Sequence, residues 1–130
     1  MLNDYFCKIM RTIENWIKIA LMNLGLVVLL GVTLRYKIAF SLPFIDQKNL
    51  LHGHSHFAFS GWISQALMTL LLYYLLKQGQ ANVLKRYRII LFSNLLTAYG
   101  MLISFPIQGY AFFSILFSTL SIFISYVFAI

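Results

Sequence analysis

The chain has 130 residues, 61% hydrophobic and 10% charged, with a formal net charge of +7. An ordinary soluble domain is about 45–50% apolar, so this composition excludes that class and makes a lipid bilayer the natural solvent. Cys7 is the one cysteine, which excludes an intramolecular disulfide and a cysteine metal cluster.

In chain order, MLNDYFCKIMRTIEN mixes charge with hydrophobicity. It lacks the basic, apolar, small-residue order of a cleavable signal peptide. Both an interfacial helix and an ordinary cytoplasmic leader are compatible with it. A bilayer core is crossed by about 20 mainly apolar helical residues, and four stretches qualify: 16–34, 57–76, 89–107 and 111–130. The predicted fold is therefore an all-α, four-helix membrane bundle forming one membrane domain over 1–130. Lys18, the one charge inside these stretches, can extend its ammonium to the interface.

Proline and glycine around Pro106, Gln108 and Gly109 predict a turn between spans three and four rather than a kink in one long helix. The last span ends at ISYVFAI with no flanking charge. That ending leads us to expect the N-terminal part of a longer subunit.

The basic residues segregate by side. Lys8, Arg11, Lys18, Lys77, Lys85, Arg86 and Arg88 fall on one side of the spans, and Arg35, Lys37 and Lys48 on the other. Under the positive-inside rule, seven against three puts the N-terminus in the cytoplasm. The excess charge thus reports topology rather than nucleic-acid binding, and the expected location is the cell membrane. It also puts the histidine-rich LHGHSHFAFSGW, residues 51–62, near the outer face.

At about 100° per residue, His52 and His56 lie about 40° apart on a helix, whereas His54 points away from both. The same projection continues the His52 face through Phe59, Ile63 and Leu70 and sets Gly61 and Gln65 beneath His54. An i, i+4 histidine pair can bind one metal, and a single imidazole can be an axial haem ligand. The residues alone leave three readings open. These are haem, zinc or copper held by the cluster with His54 included, and histidines that only hydrogen-bond to water and head groups.

Other polar residues read as packing. Ser93, Asn94 and Thr97 are placed for interhelical hydrogen bonds, and Asn23, Gly25 and Gly31 for close helix approach. Trp16, Tyr36, Tyr73, Tyr74, Tyr87 and Tyr110 suit interfacial belts. Asp46 reads as a solvated loop residue. There is no phosphate-binding glycine loop, nucleophile elbow or zincin motif, so a hydrolase has no support.

From Gly31 to Trp62 the chain reads GVTLRYKIAFSLPFIDQKNLLHGHSHFAFSGW. This stretch resembles the first-helix end, outer loop and second-helix start of subunit I in the haem-copper oxidase and nitric oxide reductase superfamily. Leu34 and Arg35 match its LR pair, Pro43 and Phe44 its aromatic and proline element, and Leu51, His52 and Gly53 its Leu-His-Gly opening. The resemblance implies that His52 is an axial ligand of a low-spin haem, with His56 as the alternative ligand. It implies a propionate or ring-edge role for Arg35, and His54 then becomes a hydrogen-bonding companion. Remaining helices or subunits of an oxidase-like complex, and a cytochrome or quinol electron donor, are the partners it implies beside the bilayer.

The family takes its opposite axial histidine and its copper ligands from later helices, and no histidine follows His56 here. Oxidoreductase chemistry is therefore implied only for a larger assembly, and this chain alone lacks the binuclear-centre histidines. The rival from another class is a non-enzymatic small membrane protein for metal handling or complex assembly.

Overall fold

The computed structural model describes residues 2–80 and 83–130. Its first helix, α1, runs over Leu2–Ala39. A rod follows, made of α2 (Gln47–Phe57), a π-helical segment (Ala58–Ser64) and α3 (Gln65–Lys77). The chain then returns through α4 (Val83–Gln108) and α5 (Phe112–Ala129). Among the described residues there is no strand, and four helices are long and apolar enough to cross a membrane. An all-α bundle of multi-pass membrane type is the result.

Local chemistry explains the helix limits. Asp46 opens α2 by accepting a hydrogen bond from the Asn49 backbone N–H at 2.9 Å, which satisfies one of the donors that a helix start leaves free. Asp46 is therefore an N-cap and not merely a solvated loop residue. Because α2 starts at Gln47, all three histidines lie inside the helical rod rather than ahead of it. At the other end of the bundle's third pass, the helix continues through Pro106 and ends at Gln108. The turn comes at Gly109, whose φ of +63° suits glycine, and whose N–H donates to the Phe105 carbonyl at 2.8 Å. The expected turn thus falls after the proline, because in a helix's last turn the missing N–H removes only one bond. Ser114 closes the start of α5, accepting from the Ala111 N–H and donating to the Gly109 carbonyl.

Packing splits into an apolar end and a polar middle. Ile9, Ile13, Trp16, Met68, Leu72, Leu76 and Leu91 form the buried cluster joining α1, α3 and α4. Trp16 belongs to this core rather than to an interfacial belt. In the middle, Asn23 is fully buried and donates to the Gly61 carbonyl at 2.6 Å, and its side-chain oxygen accepts from the Tyr99 hydroxyl at 2.7 Å. Asn94 donates to the Ser60 carbonyl at 3.0 Å and to Gln65 Oε1 at 2.8 Å. Asn94 thus makes the interhelical bond expected of it, whereas the Thr97 hydroxyl turns back to the Asn94 carbonyl of its own helix. A Cβ at Gly25 would have nothing within 4 Å, so the close approach in α1 is made by other residues.

The π-helical segment sets the rotation of the rod. His52 and His56 face Phe105 of α4, and Ser60 and Gln65 face Asn94 of α4. The α4-facing stripe therefore steps by four, four and then five residues, the extra residue being the signature of an i to i+5 turn. Phe59, Ile63 and Leu70, projected onto the His52 face, are instead exposed. Gln65 is likewise swung away from the His54 stripe, whereas Gly61 remains on it and meets α1.

Candidate functional site

The histidines sit where the start of α2 meets the α4–α5 turn. Gly53 is buried there, and a Cβ on it would come within 3.2 Å of the Pro106 ring. Gly109 presses against Asn49 in the same way, with a Cβ there falling 2.8 Å from Asn49 Oδ1. These two close approaches bring α2 tightly against the end of α4, and the flanking imidazoles are carried onto the rings of Phe105 and Tyr110.

The two imidazoles of the i, i+4 pair are held differently. His56 stacks on Phe105, with centroids 4.5 Å apart and planes 10° from parallel. His52 is tilted by 38° to Phe105 at 6.3 Å and meets Tyr110 edge-on at 4.6 Å. The Tyr110 hydroxyl lies 3.4 Å from His52 Nδ1. Phe105 is fully buried and Tyr110 is 59% exposed, so the cage is closed on the bundle side and open at its rim.

His54 lies on the other stripe of the rod. Its Cε1 would sit 3.5 Å from a Cβ placed on Gly31 of α1, and its Nδ1 is buried without a hydrogen-bond partner. Arg35, one turn beyond Gly31 on α1, is exposed. Among the described residues it makes no hydrogen bond or ion pair. Its neighbour Lys37 donates to the Leu42 carbonyl at 2.8 Å and secures the start of the loop between α1 and α2. The structure therefore brings His52 and His56 together, turns His54 toward α1, and leaves Arg35 on α1 without a direct link to either.

Among the described residues no three His, Cys, Asp or Glu side chains are grouped to hold a metal ion. Imidazoles in this cage can still each offer one nitrogen to a metal centre completed from elsewhere. Sequence reasoning missed two members of the site, Phe105 and Tyr110. The short connection between spans three and four was the available signal, because it returns Tyr110 to the bundle end where the 51–62 motif begins.

No family model, curated protein or solved structure matches the chain.

Proposed function

We propose that this chain is a multi-pass membrane protein that supplies one axial histidine, His52, to a low-spin haem at the outer end of the bundle. The haem would belong to a larger oxidase-like assembly that provides the opposite ligand and the oxygen- or nitric-oxide-reducing centre. Supporting this reading is the asymmetry of the histidine pair. The flat face of His56 is taken up by stacking on Phe105, whereas His52 is met at an angle and at its Nδ1 edge. Contact at Nδ1 leaves Nε2 as the nitrogen for iron, the usual division of labour in a metal-bound imidazole. The donor set fits one axial ligand.

When bound, a haem of this kind supplies one-electron transfer, and the work of the chain is to hold it. Two neutral imidazoles leave a ferric low-spin haem with one net positive charge at its core, while its propionates are anionic. Arg35, exposed and without a protein partner among the described residues, retains its full donor fork for a propionate through charge-assisted hydrogen bonds. The charge asymmetry of the loops supports an inward N-terminus and an outward histidine cluster in the cell membrane.

The test is a reduced-minus-oxidised spectrum of the purified protein in its native membrane complex. Low-spin α and β bands are expected. His52→Ala should abolish them and His54→Ala should leave most of them; equal losses from both would refute the assignment to His52. Absence of haem bands together with stoichiometric zinc or copper by elemental analysis would instead establish the metal-handling reading.

A further inference from the structure

We propose that Tyr110 is the positioning residue of the haem ligand, its phenol oxygen accepting a hydrogen bond from His52 Nδ1–H and so presenting Nε2 to the iron. The inference rests on the haem reading above and deepens it, since nothing in the sequence motif points to Tyr110. A neutral imidazole has one protonated nitrogen and one lone pair. A histidine left to water exchanges between the two tautomers and between ring orientations, and only one combination can ligate from this face. A protein group that takes the Nδ1 proton fixes both choices.

Four observations single out Tyr110 for this task. Its oxygen is 3.4 Å from His52 Nδ1, a separation that can shorten once the ring is ligated. Its ring stands at 71° to the imidazole with centroids 4.6 Å apart, so the two rings meet at a steep angle and are not stacked face to face. Phe105 backs both rings, lying 5.2 Å from Tyr110 at 83° and 6.3 Å from His52. Tyr110 itself follows Gly109, whose positive φ and contact with Asn49 lock the turn against α2. The phenol is thus carried by a fixed turn rather than by a mobile loop. His56, by contrast, has its ring laid flat on Phe105 and, among the described residues, no such partner at a ring nitrogen.

An acceptor on Nδ1–H raises the basicity of the ligand and favours the ferric iron. Tyr110→Phe removes the oxygen and keeps the ring contacts with Phe105 and His52, and the exposed position tolerates the change. Partners of this kind are worth about 10–100-fold in metal affinity. The variant should therefore keep its low-spin spectrum while losing haem to an apo-globin acceptor at least about tenfold faster. Its midpoint potential should rise, by about 59 mV for each tenfold preference for ferric iron removed. A merely structural role for Tyr110 would move neither the potential nor the exchange rate without broadening the spectrum. Wild-type protein with haem bands and a Tyr110→Phe variant matching it in both measurements would overturn the proposal while leaving the haem reading intact. Wild-type protein without haem bands would overturn both.

Discussion

The two polar regions of this bundle, the amide belt at its middle and the histidine cage at its rim, use similar side chains to opposite ends. In the belt, Asn23, Asn94 and Gln65 are fully buried, and each is tied to another helix. Their bonds hold α1, the π-helical segment and α4 at fixed distances, in surroundings where an unpaired polar group is expensive. In the cage, His52, His54 and His56 are half-buried, and among the described residues no imidazole bonds a backbone group of another helix; of their nitrogens, His54 Nδ1 is buried and unpartnered. The belt amides spend most of their bonds between helices, with Gln65 Nε2 and Asn94 Oδ1 left over inside, whereas His52 at the rim meets only the exposed Tyr110 hydroxyl and is available for a ligand.

That contrast can be broken by substitutions ranked by their expected cost. Gly61→Ala is the most damaging, because its Cβ would fall 2.6 Å from the ring of Phe57, which is fully buried. Phe57 packs edge-on against Tyr99 at 5.3 Å, and Tyr99 holds Asn23, so the ring cannot move without disturbing the belt. A loss of about 2–3 kcal/mol is expected, read by SDS-driven unfolding in bicelles. Asn94→Leu comes next, leaving the Ser60 carbonyl and Gln65 Oε1 without their donor. A single interhelical bond in a membrane is worth about 0.6 kcal/mol on average, and an orphaned group costs more, so about 1–2 kcal/mol is expected. Adding Gln65→Leu should cost less than the sum of the two single changes, because the orphaned acceptor goes with it.

His52→Ala marks the bottom of the series, at about 1 kcal/mol or less. Removal of a rim imidazole trims ring contacts but strands no buried partner. If unfolding showed His52→Ala to be as costly as Asn94→Leu, the cage would have to be regarded as a second structural belt.

Much of the fold is legible from local properties of the chain. A bilayer demands about 20 apolar residues per crossing; the stretches 16–34, 57–76 and 89–107 each lie inside one long apolar helix and 111–130 matches the last to within a residue, but the first three helices begin earlier, at Leu2, Val83 and, for the second, Gln47. That start was missed because polar residues such as Gln47, Lys48 and Asn49 obscure a helix whose opening depends on a cap at Asp46. The i, i+4 relation of His52 and His56 was also legible, since it needs only helical geometry. Past Phe57 the same geometry misleads, because no local pattern in AFSGWIS announces a π turn.

Within the candidate site, the histidines and their separation into a facing pair and an outlier came from sequence spacing. Phe105 and Tyr110 did not, because the contacts that matter are made by residues about fifty positions away along the chain. Asn23 and Gly25 make the same point in miniature. Both were expected to support helix approach, yet Asn23 is locked to two partners and Gly25 faces open space. Which side of a helix meets a neighbour depends on the neighbour.

By itself, then, the sequence determined the solvent, the helical class and the chemistry available at the rim, because hydropathy, chain charge and residue type are local quantities. Only the tertiary structure decided how His52 and His56 differ from each other and what His54 meets. Their roles depend on the close approaches at Gly53 and Gly109 and on which aromatic ring each one meets, and such contacts exist only once the helices have packed.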